Sequence, residues 1–201
     1  MQFTLSNSVP LNTVFTDEDG QPTYKVQTPF KLFGDKKTTI SRVAHTHSIS
    51  SGDGKKAQKD DERYIQIAEI DWKADVSQST FKYREKEMAI GDYFNKYKQG
   101  WRGKDRIFNG PDGQDYRWRI SASNAELTAQ DPSRTPIARY EPEQPNLVSK
   151  TKKATLEIYP EGEHMVDTIV VSFVYMEKIR KDREHDARMG VGDPVRGIEN
   201  E

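Results

Sequence analysis

Short stretches along most of the chain alternate apolar with polar residues and are separated by turn residues, a pattern typical of half-buried β-strands. In the clearest hairpin strand, Tyr116 and Trp118 alternate with Arg117 and Arg119, which predicts aromatic rings on one face and guanidinium groups on the other. About a dozen strands are predicted in all: Gln2–Leu5, Thr13–Thr16, Thr23–Thr28, Phe30–Phe33, Lys37–Val43, Arg63–Trp72, Ser79–Tyr83, Met88–Phe94 (a strand or a short helix), Arg106–Asn109, Tyr116–Ile120, Ala125–Thr128, Ile137–Tyr140 and Ala154–Tyr159. This part of the chain is therefore predicted to be mainly β.

The segment Glu163–Glu184 has a different pattern, because its first half is apolar on nearly every side. Its β-branched residues would suit a strand. Its length favours a helix, as does its charge order, with Glu163 and Asp167 at the start and Lys178 and Arg183 near the end. A helix that is apolar all round has to be buried, so we expect it inside a barrel formed by the strands.

The length of 201 residues suits one domain with a sizeable core. Hydrophobic residues make up 33% of the chain and charged residues 31%, and the mean hydropathy is -0.92, so we expect polar segments outside the core. We predict a single domain over residues 1–185, a mobile loop at 47–62 and a disordered tail at 186–201. The net charge of -1 gives the whole molecule no electrostatic attraction to nucleic acid.

The chain contains no cysteine, which excludes disulfides, cysteine-ligated zinc and a thiol nucleophile. We see no signal-peptide pattern in its first residues. The longest apolar run, Met165–Met176, falls short of the ~20 residues that a membrane-spanning helix needs. These observations predict a soluble, cytoplasmic protein with no transmembrane segment.

The segment Phe94–Arg119 combines an excess of positive charge with interleaved aromatic residues, including Tyr116. The simplest interpretation is strand alternation, with the rings inside and the arginines in water. The alternatives are an anionic phospholipid headgroup or, less favoured, single-stranded nucleic acid. The candidate ligand-binding residues are Lys96, Lys98, Trp101, Arg102, Arg117 and Arg119.

Two smaller features are weaker candidates for a site. His45 and His47 have a spacing that could place both imidazoles on a metal, but an exposed strand end explains them as well. A second basic cluster comprises Lys31, Lys36, Lys37 and Arg42, and Arg42 is also a candidate to share one face of its strand with Thr38 and Ile40. Since no catalytic motif is present, we predict no catalytic residue, no metal site and no cofactor.

Several longer stretches of the chain resemble one known family. These stretches are Tyr24–Val43, Ala68–Trp72, Arg106–Ile120, Ala138–Pro142 and Leu156–Glu184. Together they resemble a fungal family of unknown function that is grouped with the tubby-like barrels, alongside the plant LURP-one-related and phospholipid-scramblase-like proteins. The resemblance implies a closed antiparallel barrel of about twelve strands around a central hydrophobic helix.

Within the wider group, tubby proteins bind phosphoinositide headgroups through basic residues on the barrel wall, but no residue of that pocket can be matched here. We therefore expect a non-enzymatic binding or interaction module with an unknown protein partner. The alternatives are a peripheral protein that binds anionic phospholipid and, third, an enzyme of unknown reaction. No nucleic-acid partner is expected.

Overall fold

The computed structural model describes residues 1–30, 36–44, 63–73, 78–94, 105–121, 124–144 and 152–190. These ranges contain twelve strands. The strands are β1 Gln2–Leu5, β2 Thr13–Thr16, β3 Pro22–Gln27, β4 Lys36–Ala44, β5 Arg63–Trp72, β6 Thr80–Tyr83, β7 Lys86–Ala89, β8 Asp105–Asn109, β9 Asp115–Ile120, β10 Ala125–Ala129, β11 Pro136–Glu141 and β12 Thr155–Ile158. The helices are α1 Ile90–Phe94, a 3₁₀ helix Pro160–Met165 and α2 Val166–Arg188.

The twelve strands form one antiparallel sheet in the order β7-β6-β5-β4-β3-β2-β1-β12-β11-β10-β9-β8. Two meanders, β1–β7 and β8–β12, meet where β1 pairs with β12, with Phe3 opposite Leu156. Strands β7 and β8 are the two edges, so the sheet is not closed and the prediction of a closed barrel was wrong. Helix α1 contacts both edge strands. Its Tyr93 ring stacks on Phe108 of β8 at 5.7 Å, so packing of side chains, and not a hydrogen-bonded ladder, joins the edges here.

Helix α2 forms the centre of the core, and every residue from Thr168 to Glu177 is buried. The Phe173 ring contacts Phe15 of β2, Trp118 of β9 and Tyr140 of β11, so strands of both meanders pack on one helix residue. The prediction of a buried C-terminal helix is confirmed. The helix continues past residue 186, where we had placed the start of the tail, and residues 191–201 lie outside the described ranges.

Two hydroxyl groups on the buried face of α2 are hydrogen-bonded to aromatic residues of the sheet. The Trp118 indole N–H donates to Ser172 Oγ at 2.9 Å, and the hydroxyls of Tyr83 and Thr168 are 2.8 Å apart. A buried donor without a partner costs about 1–3 kcal/mol. These pairs therefore favour one rotation and one depth of the helix inside the sheet.

A buried ion pair lies further along the same helix. The Arg180 guanidinium donates from Nε and Nη2 to the two carboxylate oxygens of Glu177, both at 2.6 Å, and Arg180 also contacts Glu184. Burial raises the pKa of Glu177, while the hydrogen bonds from Arg180 oppose that rise. From the sequence, the end of this helix was predicted only to be basic.

A β-bulge alters the predicted pattern of β4. The register with β5 shifts between Ile40 and Ser41. Thr38 and Ile40 face the core, but after the bulge Val43 faces the core and Arg42 faces outward. The candidate placement of Arg42 on the same face as Thr38 and Ile40 was therefore wrong. The Arg42 guanidinium lies 3.2 Å from the carboxylate of Asp167, which is at the start of α2. The same carboxylate accepts a hydrogen bond from the Tyr24 hydroxyl at 2.6 Å.

No helix within the described ranges is long and apolar enough to span a membrane. The predicted mobile loop at 47–62 lies outside these ranges.

Candidate functional site

Strand β9 places two of the predicted ligand residues, Arg117 and Arg119, on the outer face of the sheet, away from α2. Tyr116 and Trp118 alternate with these arginines along the strand and are buried, which confirms the predicted alternation. The other four predicted ligand residues lie outside the described ranges: Lys96, Lys98, Trp101 and Arg102.

Three further residues of the predicted basic and aromatic surface belong to the core. Phe94 is buried at the end of α1, where its ring stacks on Tyr175 of α2 at 4.4 Å. Tyr116 and Arg106 are also buried, and Arg106 is only 8% exposed. Arg106 points inward because it occupies an inner-face position in the alternation of β8. Within the described ranges, the candidate surface is therefore reduced to the arginines of β9.

The sheet brings Arg117 and Arg119 together with Arg134, which lies in the turn between β10 and β11. The three side chains line a small pocket of about 40 Å³, hereafter the arginine pocket. Its other lining residues are Glu126, Thr128, Ala129 and Gln130. The neighbouring strand β10 brings Glu126 and Thr128 into the pocket because Glu126 pairs with Arg119, and Thr128 pairs with Arg117.

The turn at residues 130–135 holds Arg134 in place. Asp131 accepts hydrogen bonds from the Thr135 hydroxyl at 2.6 Å and the Thr135 backbone N–H at 3.0 Å. These bonds hold the pKa of the Asp131 carboxyl below its ordinary value. Arg134 itself has φ 51°, a left-handed conformation that few non-glycine residues adopt. The turn thus fixes the backbone from which this guanidinium extends.

Two neighbouring side chains orient the arginines of β9. With its amide oxygen facing β9, Gln130 accepts from Arg117 Nε at 2.7 Å and Nη2 at 3.3 Å. The Asp105 carboxylate of β8 places one oxygen 3.8 Å from Arg117 Nη1 and the other 3.9 Å from Arg119 Nε. Both distances exceed hydrogen-bond length, so Asp105 attracts the two guanidinium groups weakly.

Alternating charges continue from the arginine pocket across the outer face of the sheet. Asp105 lies opposite Arg119, Arg119 opposite Glu126, Glu126 opposite Arg139, and Arg139 opposite Glu157. Opposite charges at facing positions stabilise neighbouring strands. Each arginine of this row therefore has an acidic neighbour on an adjacent strand.

A larger hollow of about 610 Å³ opens near the start of α2. Its lining combines the rings of Phe3 and Tyr24 with four acidic residues: Asp17, Glu18, Asp19 and Glu163. Local hydrogen bonds already engage two of these carboxylates. Asp17 accepts from two backbone N–H groups of its own turn, and Glu18 accepts from the Gln2 N–H at 2.8 Å. Turn geometry therefore accounts for Asp17, and the contact with strand β1 accounts for Glu18.

The turn between β8 and β9 contacts the 3₁₀ helix through a shared carboxylate. Asp112 Oδ2 accepts from the Tyr116 hydroxyl at 2.7 Å and lies 3.4 Å from His164 Nε2. Burial tends to raise the pKa of Asp112, but the hydrogen bonds from Tyr116 and from the Gln114 N–H outweigh it and hold that pKa below its ordinary value. The contacts fasten the hairpin to the segment that leads into α2.

The weaker sequence candidates have mixed outcomes. Lys37 of the second basic cluster pairs with Glu69 at 2.8 Å, so strand pairing accounts for it. Lys31, His45 and His47 lie outside the described ranges. Within those ranges, no three His, Asp or Glu side chains come together as metal ligands.

Comparison with protein families identifies this chain as a member of a family of unknown function, DUF6593, over residues 8–182. The matched region spans β2–β12 and most of α2, and it includes the whole arginine pocket. Comparisons with curated proteins and with solved structures give no match.

Proposed function

We propose that this protein is a non-enzymatic binding module that recognises an anionic group at the arginine pocket. The observation that supports it is the convergence of Arg117, Arg119 and Arg134 on one small pocket from a strand and a turn. Guanidinium groups present planar sets of donors that suit carboxylates and phosphates. Gln130 orients Arg117, so part of the ordering cost of binding is already met by the fold.

The pocket favours binding over catalysis for a chemical reason. Its cationic groups are all arginines, which stay protonated at any physiological pH and do not exchange protons with a substrate. The lining contains one titratable carboxylate, Glu126, whereas His164 and Asp112 form a separate contact that joins a turn to a helix. A cytosolic location, expected from the lack of cysteine, belongs to the same proposal.

A second candidate function is peripheral binding of anionic phospholipid, as the resemblance to tubby-like proteins implies. Arg119 is 54% exposed by side chain and Arg134 is exposed too, so both can reach a membrane surface. Each basic residue near such a surface contributes about 1 kcal/mol. Acidic residues next to the pocket, Asp105 and Glu126, oppose that attraction, which makes this candidate second.

Thermal unfolding with a panel of anions tests the proposed function. A ligand that binds only the folded state raises the melting temperature in proportion to its occupancy. At constant ionic strength, acetate, phosphate or an inositol phosphate should stabilise the wild type and leave a variant with Arg117, Arg119 and Arg134 replaced by Gln unaffected. Lys82→Gln, which removes an exposed outer-face charge on β6, should behave like the wild type. The same response from the triple variant would refute the proposal.

Vesicle flotation at low salt separates the two candidates. Binding to vesicles with anionic lipid, absent for pure phosphatidylcholine and lost in the triple variant, would favour the membrane. If the protein does not float with anionic vesicles but is stabilised by soluble anions, the proposal is a module that binds soluble anions or anionic groups on proteins.

A further inference from the structure

We infer that the arginine pocket binds the carboxylate of an acidic segment on a protein partner, an inference that rests on the proposed function. The first observation is Asp105, whose two oxygens face one arginine each, at 3.8 Å from Arg117 and 3.9 Å from Arg119. The spacing of the two guanidinium groups therefore allows one carboxylate to lie between them, as that of Asp105 does. At these distances the contact is loose enough for a ligand carboxylate to share or replace it.

The charge of the pocket favours a monoanion. Three arginines face two carboxylates, Asp105 and Glu126, so one positive charge is uncompensated. A single carboxylate neutralises that charge. A phosphate monoester, which carries about -1.5 to -2 at neutral pH, would leave the site negative. The match of charge therefore favours aspartate or glutamate side chains over phosphorylated ones.

The size and surroundings of the pocket favour a peptide over a membrane. A volume of about 40 Å³ admits the tip of a side chain. Beyond it, the outer face continues with Arg139 and Glu157 in alternating sign. An acidic segment with separated carboxylates can place them beside the arginines of such a row, whereas the uniform negative charge of a lipid surface meets attraction and repulsion alike.

Asp105 also sets the selectivity of the site in this account. Replacing Asp105 with Asn removes one negative charge. The pocket then has two uncompensated positive charges, which match the charge of a dianion. An exposed ion pair contributes about 0.2–1 kcal/mol, so Asp105→Asn should strengthen binding of a carboxylate by a factor of roughly 1.4 to 5. The gain for a phosphate should be larger, because it carries more charge. Glu69→Gln is the matched control, since Glu69 pairs with the outer-face Lys37 on the other meander.

Thermophoresis with three labelled peptides tests the inference. The peptides share a Gly/Ser frame and carry two Glu, two Gln or two phosphoserines. The wild type should bind the Glu peptide most tightly and the Gln peptide not at all. Asp105→Asn should raise the ratio of phosphoserine to Glu affinity, and Glu69→Gln should leave it unchanged. Asp105→Ser provides the same charge change if the Asn variant does not fold.

The outcomes distinguish this inference from the proposed function. Tighter binding of the phosphoserine peptide by the wild type would overturn the inference and keep the anion-binding module. Binding to anionic vesicles without binding to the Glu peptide would also overturn it, in favour of a membrane. No binding of either charged peptide, and no stabilisation by any small anion, would overturn both.

Discussion

Replacing Phe173 with Ala should produce one of the largest losses of stability available in this protein. The ring is 0% exposed and lies at the centre of the core, 4.6 Å from Tyr140 and 6.2 Å from both Phe15 and Trp118 between ring centroids. Truncation of a buried Phe costs about 3–5 kcal/mol, because it removes burial and leaves a cavity. Since several rigid aromatic rings surround the space, it cannot collapse easily, so we expect the upper part of that range.

Urea denaturation measures this loss directly, as a lower midpoint with an unchanged slope. In a thermal experiment, the same loss lowers the melting temperature by about 6–20 °C for a domain of this size. Phe30→Ala is the matched control, because it deletes the same ring at a position that is 83% exposed and should change stability by less than about 0.5 kcal/mol. A loss below about 1 kcal/mol for Phe173→Ala, or equal losses for both variants, would refute the placement of α2 at the centre.

Three further predictions concern polar groups. Ser172→Ala should cost about 1–3 kcal/mol, because it leaves the Trp118 N–H buried without its acceptor, and the cost should vanish in a Trp118→Phe background. Arg180→Leu should cost about 3–5 kcal/mol near neutral pH, because Glu177 remains buried and unpaired. Since burial raises the pKa of Glu177, acid protonates it in the folded state, and urea denaturation should show a smaller loss in mild acid. The pKa of Asp131 in the folded protein is lower than its ordinary value of 3.8. The stabilisation of the turn by this carboxylate is therefore present above pH 3.8 and is lost as the pH falls through the folded-state pKa. Amide chemical shifts of that turn would report the loss. An equal loss for Arg180→Leu at both pH values, or a turn that changes well above that ordinary value, would contradict these assignments.

Local patterns predicted most of the strands and the central helix. Strand β9 is the clearest case, since the alternation of Trp118 with Arg117 and Arg119 predicts which side chains face the core. The charge order of Glu163–Glu184 likewise predicted a helix against the strand propensity of its valines. Both signals depend on neighbours within a few residues, and this is the information that a single sequence carries.

Features that depend on distant residues were missed. Arg134 joins the arginine pocket only because the register of β9, β10 and β11 brings its turn beside Arg117, and no local motif marks it. Arg106 is a different case, because local alternation predicts its inward position but its charge suggested the surface. Closure of the sheet was expected from the resemblance and from the all-round apolar helix, and the packing of Tyr93 on Phe108 between the edges is tertiary.

The most direct test of the central claim is the response of the arginine side chains themselves. Arginine Nε–Hε resonances of the full chain can be followed by NMR during titration with acetate and then phosphate at constant ionic strength. The account predicts that the signals of Arg117, Arg119 and Arg134 shift together and saturate at one dissociation constant. Small, linear shifts spread equally over the exposed arginines, Arg84 included, would contradict it.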